Sequence, residues 1–408
     1  MSSDFKVVGY VGNWFYYRMS PDTIPVEKLT HLIYAFATIK DNKIALSEQW
    51  LDEEKWFPGS KKPGLMNYIN DKDNGIKKRN SNLKTLISVG GWTMSKEFSI
   101  VARDKHSRET FCNSVADFVE KYGFDGVDID WEYPVEGGMS TNQYHQDDGK
   151  NFIKLLSTLR EKLTDRGQTV HPNKYYEIGI AVSPNTRVAD HVDMKEASNI
   201  VDLVNVMAYD YYGGWSQIVG HNSNLLPFDE HPPFSAFTTI KHYIEKGIET
   251  KKIIFGVPFY GRGYREVLNE KKNDVIGLSQ KSNGIIQEYE LSGVMEGGVI
   301  YYKNLKPYTN EGNTQGFAYH FDKTTLTPYL YSENKKFWIT FENYESLQIK
   351  CFLIHRYNLG GFMIWELSQD YNEELISIVD VCKKIQIQYE SNIPLKMEYF
   401  KAIGQHLK

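Results

Sequence analysis

Between Phe124 and Pro134 the chain reads F-D-G-V-D-I-D-W-E-Y-P, and the residues in it that can do chemistry fall on a period of two. Asp128, Asp130 and Glu132 share one parity and Val127, Ile129 and Trp131 the other, so a strand through this stretch directs three carboxyls to one side. Side chains two apart on a strand are neighbours. Where water is shielded, such acids cannot all ionise cheaply, and at least one keeps its proton at neutral pH. A carboxyl held protonated can serve as a general acid. The same letters also describe a strand with a solvated outer face, or three carboxylates holding magnesium or calcium. The flanks favour the acid: Gly126 permits close backbone approach, and Trp131, Tyr133 and Pro134 close the strand with rings that a solvated strand does not require.

Elements that could position such a ladder recur along the chain. Short apolar runs at 7–11, 31–39, 83–90, 177–182, 203–208, 253–257 and 360–366 read as buried strands, several of them broken or ended by glycine. Between them lie amphipathic stretches. Phe111, Val115, Phe118 and Val119 sit at i, i+4, i+7 and i+8 of a helix feeding the ladder, and Phe152, Leu155, Leu156 and Leu159 mark a helix over 151–163. Helices are also expected at 345–357 and 373–384. Strand alternating with helix predicts a parallel sheet, and polar or aromatic residues gathered at successive strand ends are the habit of the TIM (β/α)8 barrel. Residues 263–344 differ in texture, with short β-like runs among Gly, Asn and Lys and no long helical period. They are expected to form a small α+β insertion between the seventh strand and its helix, leaving 1–262 and 345–390 as the barrel and 391–408 as a C-terminal tail without a motif.

The ladder motif, D-G-V-D-I-D-W-E-Y-P, resembles the signature of the family 18 glycoside hydrolases, the chitinases and their relatives, whose D-x-x-D-x-D-x-E pattern is met by Asp125, Asp128, Asp130 and Glu132. Other family motifs follow the same resemblance in order. Ser88, Gly90 and Gly91 match S-x-G-G, with Trp92 beyond them; Met207, Tyr209 and Asp210 match M-x-Y-D; Tyr260 and Arg262 end a segment like G-x-P-x-Y-G-R; Trp365 matches the tryptophan at the floor of the family's site. The likeness covers roughly residues 5–385.

What the resemblance implies is hydrolysis of β-1,4 N-acetylglucosamine linkages by a retaining mechanism in which the sugar's own acetamide is the nucleophile. It makes Glu132 the general acid and base. It has Asp130 orient the acetamide and stabilise the oxazolinium charge, and places Asp128 behind to share the proton. Tyr209 becomes a donor to the acetamide oxygen and Asp210 an acceptor or proton partner. Tyr260 and Arg262 become donors to the distorted sugar, Trp365 its floor, and Trp92 and Trp215 neighbouring sugar platforms. Tyr10, Ser88 and Met207 join the substrate-binding set, while Asp125, Gly126, Gly90 and Gly91 are structural. No metal or cofactor is implied. Rival functions are a chitin-binding lectin of the same fold, whose kind typically lacks the final glutamate that Glu132 supplies here, and an endo-N-acetylglucosaminidase sharing the acid ladder.

Composition agrees with an uncharged polymer as partner. Of 408 residues, 47 are basic and 52 acidic, a net charge of -5 that argues against nucleic acid and anionic membranes. Aromatic content is high at 14%, with 28 Tyr, 21 Phe and 8 Trp; some of it is core, and flat rings with a polar tip also suit stacking against sugar rings. A chain of this size suits a monomeric barrel carrying an insertion, and the inserted module is expected to rise beside the site as one wall of a groove. The three cysteines, Cys112, Cys351 and Cys382, show no C-x-x-C spacing, and the expectation is three buried thiols without a disulfide framework or zinc site. The N-terminus carries no charged-then-apolar leader and no apolar run reaches membrane-spanning length, so the sequence assigns no compartment.

Overall fold

The computed structural model describes residues 5–384 except 170–173, 229–233, 273, 311, 312, 314 and 315; the expected tail at 391–408, with 385–390, lies outside the described residues. The eight barrel strands are β1 (Lys6–Gly12), β2 (His31–Lys40), β3 (Lys84–Gly90), β4 (Gly126–Asp130), β5 (Glu177–Val182), β6 (Leu203–Val206), β7 (Ile253–Pro258) and β8 (Gly361–Trp365). They run in the order β1-β8-β7-β6-β5-β4-β3-β2, with β1 also pairing β2, a closed (β/α)8 barrel; a short strand, Lys43–Ala45, folds back on β2. The helices that matter below are α1 (Lys105–Tyr122), α2 (Asp148–Thr169), α3 (Tyr344–Arg356) and α4 (Glu374–Lys384). No helix among the described residues is long and apolar enough to cross a membrane.

The described residues divide into two compact units, one within 6–206 and 243–254, the other made of Phe5 with residues within 207–242 and 255–384. In the first, β1 through β6 pair in parallel with a register that fixes what lies beside the ladder: Ser88 aligns with Asp128, Gly90 with Asp130, and Asp128 with Gly179. All five residues of β4 are buried. Val127, Ile129 and Trp131 leave on one parity, where Trp131 stacks on Phe98 at 5.4 Å and meets Phe152 of α2 edge-on at 5.5 Å. Helix α1, capped by the Asp104 side chain and ended by Gly123 in the left-handed region, buries Phe111, Val115, Phe118 and Val119 as its apolar stripe requires. Helix α2 runs longer than its stripe, from Asp148, because polar residues at both ends continue the helix beyond the apolar positions.

In the second unit a six-stranded antiparallel sheet runs in the order Val294–Met295, Val299–Tyr301, Tyr260–Tyr264, Phe337–Thr340, Thr327–Ser332, Ala318–Asp322. Its central strand is Tyr260–Tyr264, so the inserted sheet begins within the P-F-Y-G-R segment and includes Tyr260 and Arg262, a few residues earlier than the texture change at Gly263 suggests. Trp338, Tyr329, Tyr264 and Val275 belong to its core, and the Trp338 indole donates to the Ile276 carbonyl at 2.9 Å. Helix α3 follows, opened by a capping box between Asn343 and Ser346. Sequence spacing misleads at the cysteines: Cys351 on α3 and Cys382 on α4 form a disulfide, their Cα atoms 6.0 Å apart, and only Cys112 is a free buried thiol. A separation of 31 residues says nothing against pairing once two packed helices set the cysteines side by side.

Candidate active site

In the first unit the ladder stands as its parity predicts, with Asp128 fully buried, Asp130 4% exposed and Glu132 9% exposed. Asp128 is held by three side-chain donors. Its Oδ2 accepts from the Tyr10 hydroxyl at 2.9 Å and the Ser88 hydroxyl at 2.7 Å, and its Oδ1 from the Asn205 amide at 3.2 Å. Asn205 also donates to the Tyr10 oxygen at 3.2 Å, tying β1, β3 and β6 to the carboxylate. A side chain at Gly179 would stand 2.7 Å from Asp128 Oδ1, so this neighbour on β5 must be glycine for the carboxyl to fit. Burial pushes the Asp128 carboxyl up to about 6, and the donors from Ser88, Tyr10 and Asn205 oppose that rise.

Asp130 differs. Burial first, then the charges of Glu132 and Asp128, hold its carboxyl well above the ordinary range, and its Oδ1 finds no hydrogen-bond partner among the described residues. Its charged form is thus strongly disfavoured, and of this pair Asp130 holds a proton more readily than Asp128. Glu132 is fixed through its main chain: its N–H donates to the Ser95 hydroxyl at 2.9 Å and its carbonyl accepts from the Asn142 amide at 2.8 Å. The Ser95 hydroxyl in turn reaches the carbonyls of Gly91 (2.8 Å) and Asp130 (3.1 Å). The paired glycines explain themselves here. Gly90, at φ +107°, lies so close under Asp130 that a Cβ would come 2.3 Å from its carbonyl oxygen, and Gly91, at φ +78°, faces the Phe36 ring. Trp92, just beyond, is 49% exposed.

Asp125 belongs to the motif but not to this cluster. It lies before β4, where its carboxylate accepts from the Lys77 ammonium at 2.6 Å and the Thr85 N–H at 2.9 Å. Burial is the largest single influence and acts to raise its pKa, yet the charge and hydrogen bond of Lys77, the Thr85 N–H and the Lys174 charge together outweigh it and the net shift is downward. Gly126 is where β4 passes β5 closely, a Cβ there meeting the Glu177 carbonyl at 2.0 Å.

The second unit carries the remaining residues of interest. Asp210, at φ +57°, has its N–H bound to Asn222 Oδ1 and its Oδ1 shared by the Tyr260 hydroxyl (2.7 Å), Arg262 Nε (2.8 Å) and Arg262 Nη2 (2.7 Å). Burial disfavours the Arg262 charge, but the Asp210 carboxylate together with Tyr260 and Tyr264 more than offsets it. The guanidinium lies 4.6 Å from the centre of the Trp215 ring, whose other surroundings leave it 61% exposed. Tyr209 meets Tyr260 edge-on at 6.3 Å, and its hydroxyl reaches Met363 Sδ at 3.8 Å. Met207 is buried and Trp365 half-buried, its carbonyl accepting from the Phe259 N–H at 2.9 Å.

Four residues outside the motifs hold these groups: Asn205, Ser95, Asn142 and Asn222. Asn205 was findable, since L-V-N-V sets one amide inside an apolar strand, where an unpaired amide is costly. The other three lie in loops, and no periodicity marks them. Among the described residues only Cys351, His355 and Cys382 form a group with metal-ligand spacing.

The family model described as glycosyl hydrolases family 18 matches residues 6–370. Chitinase A1 of Niallia circulans is 33% identical over 422 residues, covering 92% of this chain and 58% of that protein, so the chain spans little more than half of this relative's length. Chitinase 1 of Aphanocladium album is 29% identical over 379 residues, covering 90% and 82%. Among solved structures, chitinase ChiA74 from Bacillus thuringiensis superposes with a TM-score of 0.83 at 30% identity, covering 96% of this chain and 71% of that one.

Proposed function

Given that the chain belongs to family 18 of the glycosyl hydrolases, we propose that it is a chitinase that cleaves β-1,4 links between N-acetylglucosamine units with retention, using Glu132 as acid and base and the substrate's acetamide as nucleophile. The observation that carries this reading is the unequal ladder: a fully buried Asp128 held by hydrogen bonds from Tyr10, Ser88 and Asn205, and beside it a buried Asp130 with one oxygen unpartnered, its carboxyl held well above the ordinary range by burial and then by its acidic neighbours. That pair is poised to change its protonation as charge develops nearby.

The steps follow from those states. Glu132 gives its proton to the glycosidic oxygen as the bond to the anomeric carbon breaks and the bonding electrons stay with that oxygen. The acetamide oxygen closes on the anomeric carbon, and positive charge spreads over the oxazolinium ring. Asp130 faces the acetamide N–H and passes its own proton to Asp128, whose carboxyl near 6 can take it, so that a carboxylate meets the developing charge. Glu132, now ionised, draws a proton from water, which opens the ring from the face the leaving sugar vacated and restores the β configuration. Tyr10 and Ser88 act in this scheme through Asp128, to which their hydroxyls are committed. Tyr209 donates to the acetamide oxygen, and Tyr260, Arg262 and Asp210 form the polar cluster that holds sugar hydroxyls. Trp365, Trp92 and Trp215 offer ring faces to the sugars.

Glu132→Gln tests the assignment. The amide fills the same volume and leaves the main-chain bonds to Ser95 and Asn142 in place, so the variant is expected to fold and to bind chitooligosaccharide while losing at least about a thousandfold in kcat, the upper part of what one general acid contributes. Turnover within tenfold of the parent would remove Glu132 from the role. A parent protein that binds the oligosaccharide without cleaving it would support the lectin reading instead.

A further inference from the structure

In the second unit, α3 and α4 bring together two sulfurs and an imidazole. Cys351 and His355 are one turn apart on α3, the i, i+4 spacing that puts both on one face, and Cys382 comes from α4 packed against it. The three ligand atoms lie within 4.8 Å of one another. Cys351 and Cys382 are buried, 4% and 2% exposed, whereas His355 is only half-buried, stacked on Phe5 at 5.3 Å. We propose that, once the Cys351–Cys382 disulfide is opened, Cys351, His355 and Cys382 form a site for one thiophilic divalent cation, zinc above all.

The distances support this. With Zn–S near 2.3 Å and Zn–N near 2.05 Å, tetrahedral angles set sulfur and nitrogen ligands about 3.55 Å apart and two sulfurs about 3.8 Å apart. Cys382 Sγ already stands 3.6 Å from His355 Nε2. The Cα atoms at 6.0 Å leave room for the two sulfurs to separate by rotation about their side-chain bonds while the helices stay in place. Helix α3 supplies two ligands from one rigid face, and the third arrives on a packed neighbour, so little chain entropy is lost on binding. His355 Nε2 also stands 3.2 Å from the Cys382 carbonyl oxygen, a contact it gives up when it binds the ion, and a water supplies the fourth ligand.

The chemistry balances in two steps. A phosphine with one water reduces the disulfide to two thiols and becomes the phosphine oxide; the cation then displaces two protons as both thiols bind as thiolates, with neutral imidazole as third ligand. Disulfide and metal are thus alternative states of one site: oxidised, it staples α4 to α3; reduced, the cation performs the same joining.

The test uses the full chain, reduced by a phosphine, freed of it under anaerobic conditions and titrated with Co2+ as a spectroscopic probe. One equivalent should produce a thiolate-to-cobalt charge-transfer band and tetrahedral ligand-field bands, both removed by one equivalent of Zn2+, and the zinc-loaded reduced protein should melt higher than the reduced apoprotein. The oxidised chain should show none of this. Cys382→Ser should abolish the charge-transfer signature of a two-thiolate site, His355→Ala should weaken Zn2+ binding by tenfold or more, and Cys112→Ser, altering a thiol buried elsewhere, should change nothing. The comparison of oxidised and reduced parent needs no variant. No band in the reduced parent, a reduced parent that unfolds instead of taking up metal, or equal zinc affinity in His355→Ala would each overturn the proposal.

Discussion

Replacing Ser88 by alanine removes one of three hydrogen bonds to a fully buried carboxylate and alters little else, since serine and alanine differ by one oxygen and Ser88 is itself buried. A hydrogen bond to a charged group contributes about 1.5–3 kcal/mol. Because that bond favours the ionised form, its loss should raise the Asp128 pKa, at about 1.4 kcal/mol per pH unit, by roughly one to two units from its value of about 6. The stability consequence has a definite sign. The folded pKa already exceeds the ordinary carboxylate value, so the native state holds this proton more tightly than the unfolded chain; the contribution is fully present below pH 3.8 and is lost as pH rises through about 6. In Ser88→Ala the loss should continue to pH 7–8. The variant should therefore differ from the parent by under about 1 kcal/mol at pH 4, where only a neutral hydrogen bond is missing, and by about 1.5–3 kcal/mol at pH 8. Urea midpoints at the two pH values measure this, and the acid limb of the kcat/KM profile on a chromogenic chitooligosaccharide should move upward by a similar one to two units. Equal destabilisation at both pH values, with an unmoved acid limb, would show that the ladder's electrostatics are misread.

Three further outcomes are expected. Asp125→Asn leaves the Lys77 ammonium, 3% exposed, without its charged partner, and should cost about 3–5 kcal/mol in urea unfolding while kcat of the folded enzyme stays within about threefold, since this acid lies before the strand and away from the reacting end. Gly90→Ala should destabilise by at least about 1–3 kcal/mol through its backbone angle alone and should lower kcat as well, because the new Cβ must displace the Asp130 carbonyl; an unaffected kcat would detach the S-x-G-G turn from the ladder. Fully deacetylated chitosan and cellulose, which lack the acetamide nucleophile, should not be cleaved, and products from chitin oligomers should appear first as the β anomer; initial α anomer by NMR would put water or another carboxylate in the attacking position.

The ladder was legible because strand parity is a strict rule: once β4 is a strand, the directions of Asp128, Asp130 and Trp131 follow. Barrel strands were legible as apolar runs, with ends misplaced by one or two residues, as at β6, which stops at Val206, before Met207 and Tyr209. What sequence pattern carries poorly is partnership between distant residues. Asn205 serves an acid 77 positions earlier, and Asn222 holds the Asp210 backbone from within a loop. The Cys351–Cys382 pair belongs to the same class: cysteine spacing reports on metal loops and knot-like frameworks, not on two helices that happen to pack. Likewise the insertion's first strand could not be separated from the end of β7, because Tyr260–Tyr264 continues the same extended, buried run into a different sheet.

Asp125 and Glu132 show why one short motif can look uniform in sequence and yet divide its labour. Seven residues of extended chain at about 3.3 Å each separate the two by roughly 23 Å, so the motif runs from the entry of β4 to beyond its exit. At the entry the acid is paired with Lys77 and its pKa is lowered; within the strand Asp128 and Asp130 are raised; at the exit Glu132 is fixed by its main chain. An acid whose charge is already neutralised by a buried ammonium is of no use for exchanging protons, and one with a neighbouring carboxyl is poor as a structural anchor. The same side chain thus serves stability at the N-terminal end of a barrel strand and chemistry at the C-terminal end, and what assigns each acid its part is the partner that the neighbouring elements bring alongside: Lys77 and Thr85 for Asp125, Ser88, Tyr10 and Asn205 for Asp128.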